Sequence, residues 1–246
     1  MIIIKSDVEL NLMKKSGEIL RSTFNVLEEH IKSGITTLEL DNIAKDFITK
    51  NNAYPTFYKY NGFPKNICIS IDEEVVHGIP KERYLEDGMI VSLDIGVNFQ
   101  GFNTDAARTY PVGKISDKKQ QLIDVTKQCF FEGIKGLKQG SKVNHIGRAI
   151  QEYAEKFGFS VVRDLVGHGI GKDLHEDPQI PNFMTQSLGV TLKKGMTIAI
   201  EPMINIGTYE VVSKSDGWTV VTKDGQPSGH YENTVIILED GVQIIT

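Results

Sequence analysis

Acidic side chains interrupt apolar, strand-like segments of this chain. The acids are Asp94, Asp105, Glu201 and Glu232, and His168 lies in a glycine-rich segment between the first and second pairs. Carboxylates rarely lie inside a protein unless another group offsets the cost of their desolvation. Three of the four occupy positions where Val or Ile would be expected in a buried strand. A pair of divalent cations would account for all five side chains together.

The segment IVSLDIGVNFQGFNTDAARTY predicts a β-hairpin that carries Asp94 and Asp105. If Phe99-Gln100 forms the two-residue loop, the two acids are directly opposite. If Gln100-Gly101 forms it, which is the better turn chemistry, they are diagonal neighbours. In both registers they share one face of the sheet, because side chains alternate with period two. Opposed residues lie about 4.5–5.5 Å apart, where two carboxylates do not both ionise without a nearby cation.

The composition is that of an ordinary soluble globular protein, with 246 residues, 40% hydrophobic and 24% charged. A net charge of -5 without a basic stripe gives no reason to expect nucleic acid as a partner. No apolar run approaches the roughly 20 residues of a membrane span, and the first residues do not form a secretory signal. Cys68 and Cys129 are unclustered, which favours a reducing compartment. We therefore expect a cytoplasmic protein, and nothing in the sequence demands more than a monomer.

Hydrophobic periodicity predicts helices followed by strands, twice along the chain. The first helix follows the Ser6 cap and ends at Gly34, and the second begins at Thr36. Two more helices are predicted at about 117–137 and 144–157. The predicted strands are ICISI, MIVSLDIGV, FNTDAARTYPV, FSVV, MTIAIE, WTVVT and NTVIIL.

Short strings recur in the same order in the two halves, which indicates an internal duplication. HGI occurs at His77 and again at His168. LEDGMIVSLD, which ends at Asp94, resembles LKKGMTIAIE, which ends at Glu201. Asp105, in the strand after Asp94, would then correspond to Glu232 in the second half.

The chain contains no Ser/Pro-rich linker between these halves. We therefore predict one domain over residues 1–246, with pseudo-repeats at about 1–113 and 114–246. A pseudo-two-fold axis between the repeats would bring the two sets of acids together at the centre.

The types of ligand limit which metals and which kind of reaction the site could support. Oxygen ligands with one imidazole suit Mn, Fe, Co, Zn or Mg better than a thiolate site would. Four carboxylates nearly balance two dications, and paired metals are a recurrent hydrolytic device. His77 and His175 lie in glycine-rich loops, where imidazole would hydrogen-bond a substrate amide or a developing oxyanion. HExxH, GxSxG, Walker and paired CxxC motifs are missing, and the glycine spacing of VGHGIG is wrong for a dinucleotide site.

Six segments distributed over nearly the whole chain form a recognisable set: VVHGIP, SLDIG, NTDAARTYPVG, GHGIGKDLHEDPQIP, IAIEPM and YENTV. They resemble the methionine aminopeptidase type I family in its bacterial short form. The resemblance implies the pita-bread fold, an α/β (α+β) arrangement with an antiparallel sheet core covered by helices. It also implies that the chain removes the initiator methionine from nascent polypeptides whose second residue is small.

The resemblance further implies two divalent metal ions and their ligands. Asp94, Asp105 and Glu232 would hold one ion. Asp105, His168, Glu201 and Glu232 would hold the other, so that Asp105 and Glu232 bridge the pair. The identity of the metal is left open, because availability in the cell decides it.

Three residues would act on the substrate by the same resemblance. Glu201 would move the proton of the attacking water. His175 would contact the scissile amide. His77 would help to stabilise the intermediate and position the substrate, and both histidines would sterically exclude large second residues.

An apolar pocket that fits a flexible thioether is required for methionine selectivity. By resemblance its walls would be Tyr60, Phe63, Cys68, Leu174 and Trp218. Trp218 is the only tryptophan and follows Asp-Gly in a polar stretch, which suits a pocket lid.

The chain departs from the family pattern at three positions. Asn233 replaces a histidine that is not a ligand, so metal binding should survive and any effect should fall on the rate. Leu174 replaces an aromatic residue and should soften one wall of the methionine pocket. Phe63 lacks the hydroxyl of the more common tyrosine.

Two alternatives share the motif set. Xaa-Pro aminopeptidases and prolidases use the same fold and metals, but normally carry an additional N-terminal domain for which this chain has no room. A non-catalytic relative that binds a protein or nucleic acid would typically lose ligands, and here all five are present. Transient association with the ribosome is expected from the family's role, although no segment of the sequence indicates a ribosome-binding site.

Overall fold

The computed structural model describes residues 2–246. Its α-helices are α1 (Asp7–Glu28), α2 (Thr37–Lys50), α3 (Asp117–Ile134) and α4 (Asn144–Lys156). The strands before α3 are β1 (Tyr54–Pro55), β2 (Cys68–Ile71), β3 (Glu74–Val76), β4 (Ile90–Phe99) and β5 (Phe102–Pro111). The strands after α4 are β6 (Ser160–Val161), β7 (Gly167–Gly169), β8 (Glu176–Ile180), β9 (Thr197–Ile200), β10 (Met203–Asn205), β11 (Val211–Ser213), β12 (Val220–Thr222), β13 (Ser228–His230), β14 (Asn233–Ile237) and β15 (Val242–Ile244).

The first two helices begin with capping boxes. The Ser6 hydroxyl accepts a hydrogen bond from the Glu9 N–H, and the Glu9 carboxylate accepts one from the Ser6 N–H. Thr36 and Glu39 form the same reciprocal pair at the start of α2. Each box satisfies N–H groups that have no partner within the helix, and a cap of this type contributes about 0.5–2 kcal/mol.

The helices end earlier than the periodicity predicts. The first stops at Glu28, although the predicted end was Gly34, and α3 stops at Ile134 rather than near residue 137. Gly34 instead has a left-handed φ of 93° and donates its N–H to the Leu85 carbonyl at 2.9 Å. A tertiary hydrogen bond therefore replaces the last helical turns, which a periodic pattern does not reveal.

All strand pairs within the sheets are antiparallel. β5 pairs with the whole of β4, while β1 and β2 pair with different stretches of β4. In the second half of the chain a five-stranded sheet has the order β15-β14-β9-β7-β8. Two three-stranded sheets, β13-β10-β6 and β11-β12-β3, complete the arrangement.

The long hairpin and the five-stranded sheet meet along β5 and the start of β14. Glu232 donates its N–H to the Ala107 carbonyl at 3.0 Å, and Ala107 donates back to the Glu232 carbonyl at 3.3 Å. The Thr234 hydroxyl accepts from the Asp105 N–H and donates to the Asp105 carbonyl, both at 2.9 Å. These bonds bring the acidic residues of the two halves to one seam.

Helices pack against the sheets. One core cluster includes Leu20 of α1, Ile48 of α2 and Leu93 of β4, and a second joins α3 and α4 to β9. Fully burying an aliphatic or aromatic side chain of this size contributes about 1.5–3 kcal/mol. No helix among residues 2–246 is long and apolar enough to cross a membrane. The division into one domain with two repeats stays a prediction.

Candidate active site

The register of the β4–β5 hairpin decides how Asp94 and Asp105 face each other. Phe99 pairs with Phe102, so Gln100 and Gly101 form the loop, with φ of 51° and 87°. Positive φ at both central residues is the geometry that suits the twist of a two-residue hairpin. Asp94 therefore pairs with Ala107 and Asp105 with Gly96. The two acids are diagonal neighbours on one face, and the directly opposed register is wrong.

The other three candidate ligands come from adjacent strands of the five-stranded sheet. His168 lies in β7 opposite Ala199 of β9. Glu201 immediately follows β9, and Glu232 immediately precedes β14. Because Ile200 pairs with Asn233, the two glutamates leave their strands at the same end of the sheet.

These side chains converge on one point. Ligand atoms of Asp105, His168 and Glu232 all lie within 4.8 Å of one another, and each of the three residues is buried. His168 Nε2 lies 3.7 Å from Glu201 Oε1. All five candidate ligands line a single cavity of about 210 Å³.

The electrostatics of this cluster are unfavourable without a cation. Burial raises the pKa of Asp94, Glu201 and Glu232, with further increases from neighbouring carboxylates. Burial likewise raises the pKa of Asp105 to about 7. Within residues 2–246, the ion-pair contacts of Glu201 and Glu232 are to histidines, not to Lys or Arg.

Orphaned oxygens show what the cluster lacks. Asp94 Oδ1, Asp105 Oδ1 and Glu232 Oε1 are buried and have no hydrogen-bond partner. An unpartnered buried acceptor costs about 1–3 kcal/mol, and more when it is charged. Divalent cations would satisfy these oxygens and remove the repulsion, so the residues present fit a metal centre.

His168 is oriented as a ligand. Its Nδ1 lies 2.9 Å from the Gly169 carbonyl, and because a carbonyl only accepts, Nδ1 carries the proton. The lone pair is then on Nε2, which points toward the acids. Burial lowers the pKa of His168 to about 3, so the ring is neutral near pH 7.

The other two predicted histidines flank the acids. His77 follows β3 with a left-handed φ of 59°, and burial lowers its pKa to about 4. His175 Nδ1 lies 2.8 Å from the Tyr60 hydroxyl, and its ring centroid lies 4.4 Å from that of His168. Burial also lowers the pKa of His175. Both rings line the cavity beside the acids.

The predicted methionine-pocket residues line the apolar part of the same cavity. Phe63 and Trp218 meet edge to face with centroids 5.1 Å apart. Leu174 is only 3% exposed, and Cys68 pairs with Asp94 across β2 and β4. Tyr60, the fifth residue predicted for the methionine pocket, also lines this cavity. Every residue that the sequence predicted for the site thus lies at one cavity.

Three residues near this cavity were not predicted from the sequence. Phe57 and Asn61 line it but lie in a loop with no periodic pattern. His230 is 1% exposed, and its Nε2 lies 3.9 Å from both Glu201 Oε2 and Glu232 Oε2. Neither of its ring nitrogens has a hydrogen-bond partner. Its position two residues before Glu232 was the only sequence signal for it.

The departure at Asn233 does not alter the cavity wall. Asn233 Oδ1 accepts a hydrogen bond from Arg108 Nη2 at 2.6 Å, and its side chain is not part of the cavity lining. Arg108 also donates to the Glu232 carbonyl. Asn233 therefore helps to hold Arg108 against the backbone carbonyl of Glu232.

Comparison with known proteins agrees with this geometry. The family model for metallopeptidase family M24 matches residues 11–240. The chain belongs to this family. A methionine aminopeptidase of Clostridium acetobutylicum is 51% identical to this M24 peptidase, over 100% of the chain and 99% of the relative. Methionine aminopeptidase 1 of Bacillus subtilis is 50% identical over the same shares.

Solved structures place the fold in the same group. The methionine aminopeptidase of Rickettsia prowazekii superposes with a TM-score of 0.98 at 42% identity, covering 100% of both chains. A prolidase of Pyrococcus furiosus superposes at 0.79 with 22% identity, covering 99% of this chain and 65% of its own, which shows shared fold alone. The resemblance to type I methionine aminopeptidases and the pita-bread fold are confirmed.

Proposed function

We propose that this M24 metallopeptidase removes N-terminal methionine from polypeptides whose second residue is small. The observation that carries the proposal is the single cavity in which the acidic cluster adjoins an aromatic and aliphatic pocket. Cleavage of a peptide bond next to a bound methionine side chain requires that adjacency. Full-length relatives named methionine aminopeptidase support the same activity.

Two divalent cations, chosen among Co, Mn, Fe, Zn and Mg, are proposed as cofactors. Asp94, Asp105 and Glu232 would hold one, and Asp105, His168, Glu201 and Glu232 the other. When bound, such ions act as Lewis acids that activate water and polarise the scissile carbonyl. Four carboxylates facing two dications leave the buried site nearly neutral, which supports this stoichiometry.

The protein's own groups would handle the protons. Glu201, whose pKa is raised by burial, is suited to take a proton from the attacking water at its carboxylate and to deliver it to the leaving amine. Its position next to His168 and opposite the hairpin acids keeps it beside the reacting bond.

The two loop histidines would act as neutral hydrogen-bond donors. Burial raises the pKa of Tyr60, so its hydroxyl stays protonated and donates to His175 Nδ1. That bond leaves the proton of His175 on Nε2, available to the substrate carbonyl. His77, with its pKa lowered to about 4, is also neutral at pH 7 and would stabilise the developing oxyanion.

Selectivity would come from shape. Phe63 and Trp218 form an aromatic corner into which a flexible thioether packs, since sulfur makes favourable contacts with ring edges. By the family resemblance, the second residue of a bound peptide would lie near His77 and His175, so large side chains there would clash. Nascent chain N-termini are the proposed substrates, with transient ribosome contact and a monomeric state as further expectations.

Apo protein refilled with one metal at a time provides the test. We expect release of methionine from a Met-Gly-Met peptide, no cleavage of an Ala-Pro peptide, and two dications per chain by calorimetric titration. The single Trp218 offers an independent readout, because free methionine in the pocket should change its fluorescence. Preference for the Xaa-Pro peptide would favour a prolidase-type function. A folded protein that binds no dication would favour a binding protein instead.

A further inference from the structure

The loop between β7 and β8 carries Leu174 and His175 into the cavity. Backbone bonds hold its first part: Ile170 donates to the Thr197 carbonyl at 3.1 Å, and Asn103 donates to the Gly171 carbonyl at 2.7 Å. Asn103 of β5 holds the next part through its side-chain amide, which donates to the carbonyls of Gly171 at 3.1 Å and Lys172 at 2.8 Å. The far end of the loop, where His175 lies, meets β8 at Glu176, which pairs with Gly169 of β7.

A buried ion pair fixes that far end. Glu176, the residue after His175, pairs with Lys5 from the segment that precedes α1, and both side chains are only 3% exposed. The second oxygen of Glu176 accepts a hydrogen bond from the Asp173 N–H at 3.4 Å. One carboxylate therefore joins the N-terminal segment to the loop on both sides of His175.

Both partners are held against the loop. Lys5 donates its backbone N–H to the Gly195 carbonyl at 3.0 Å, and α1 begins immediately after it at the Ser6 cap. A Cβ on Gly171 would clash with Lys5 Cε and lie 2.6 Å from Glu176 Oε1. The pair thus packs directly on the loop backbone.

Stabilisation of the fold is by itself a weak explanation for this pair. Desolvating two charges offsets much of their attraction, so a buried ion pair is weak evidence for stabilisation. Neither Lys5 nor Glu176 lines the cavity. The pair therefore acts on the reaction only through the position of the residues beside it.

We propose that Lys5, through Glu176, is a positioning residue that holds the His175 imidazole at its reactive orientation. This inference rests on the proposed function for its kinetic consequence. Removing the Lys5 ammonium leaves a buried carboxylate unpaired, and the loop shifts to expose it. A displacement of about 1 Å in a catalytic group costs up to about 100-fold in rate.

The experiment compares Lys5→Met with Lys15→Met in the metal-loaded, full-length protein. Lys15 pairs with Glu18 on the surface of α1, where both side chains are 55% exposed, so it is a matched control. With Met-Gly-Met as substrate, Lys5→Met should lower kcat about tenfold or more, with a smaller change in KM. Metal affinity of the apo protein, measured by titration, should match that of the Lys15→Met control.

A second readout does not depend on activity. The imidazole nitrogen shifts of His175 should change in Lys5→Met, because its bond to Tyr60 is displaced, whereas those of His145 on α4 should not. If Lys5→Met does not fold, Glu176→Gln serves, since it removes the charge and keeps an acceptor for Asp173.

Unchanged His175 shifts together with an unchanged kcat in a folded variant would overturn the inference. So would a loss of kcat that matches only the loss of folded protein by circular dichroism. If wild type and Lys15→Met both fail to cleave Met-Gly-Met, the proposed function fails, and the His175 shifts alone decide the role of Lys5.

Discussion

Asp94 and Asp105 lie one pleat apart on the same face of the β4–β5 hairpin, since Asp94 pairs with Ala107 while Asp105 pairs with Gly96. The diagonal arrangement separates their Cβ atoms by more than direct opposition would. The two carboxyl groups are still close enough that each affects the ionisation of the other. A cation beside them would interact with both acids.

Replacing Asp105 by Asn should stabilise the metal-free protein in a pH-dependent manner. Burial raises the pKa of folded Asp105 to about 7, whereas an unfolded Asp titrates near pH 3.9. Between these values the folded state retains a proton that the unfolded state releases, so this carboxyl increasingly destabilises the fold as pH rises. The gain in Asp105→Asn should be largest above pH 7 and absent below about pH 4.

The same variant should lose metal affinity by more than about 100-fold. Mutating even the groups that hydrogen-bond to metal ligands lowers metal affinity about 10–100-fold, and Asp105 would itself be a ligand. Thermal melts with and without added dication measure both effects. The exposed Asp46→Asn on α2 is the control and should behave like wild type. Normal turnover by Asp105→Asn would contradict the two-metal assignment.

Replacing His77 by Asn should lower the rate and leave the metals bound. His77 lines the cavity but lies outside the tight group of Asp105, His168 and Glu232. The shorter Asn amide does not place its N–H where the imidazole N–H lies, and misplacing such a hydrogen-bond donor costs about 100-fold or more in kcat. Calorimetric titration of metal binding, run together with steady-state kinetics, separates an effect on the rate from an effect on metal binding. Loss of one dication per chain would instead make His77 a ligand.

Replacing Leu174 by Phe should change the choice of side chain at the cleaved residue. Leu174 is 3% exposed and faces a cavity of about 210 Å³, so a larger ring removes space that methionine would use. One methylene in such a pocket alters selectivity by about 10–200-fold. The ratio of kcat/KM for a peptide with N-terminal methionine to that for one with a shorter aliphatic N-terminal residue measures this selectivity. Leu188→Phe, at a position 58% exposed, should leave the ratio unchanged.

Replacing Asn233 by Ala should reduce stability while metal binding persists. Asn233 Oδ1 accepts from the Arg108 guanidinium, and its loss leaves a largely buried donor without that partner. Such a loss costs about 1–3 kcal/mol. Urea unfolding of the variant, with the exposed Asn25→Ala as control, tests the value. Loss of metal with unchanged stability would place Asn233 among the ligands.

Much of the site could be predicted because its signals are local. Acids in strand-like apolar runs, such as Asp94, indicate a buried charge whatever the final packing. Period two placed Asp94 and Asp105 on one face in either register, and that conclusion holds. Cap residues such as Ser6 and Thr36 marked the helix starts, since their bonds span only three residues.

The missed features depend on contacts between distant parts of the chain. Gly34, the predicted helix end, lies beyond the observed end at Glu28 and donates to the distant Leu85 carbonyl, and His230 approaches Glu201 through the pairing of β10 with β13. No local pattern encodes either. The internal duplication and the roles of individual site residues stay predictions.

By itself the sequence indicated most of the side chains at the cavity and the starts of the first two helices, because caps, turns and alternation act over a few residues. Only the tertiary structure decided the hairpin register, the seam between β5 and Glu232, and the Lys5–Glu176 contact behind His175. Those features follow from how buried surfaces fit together, and residues far apart in the chain must meet before that fit exists.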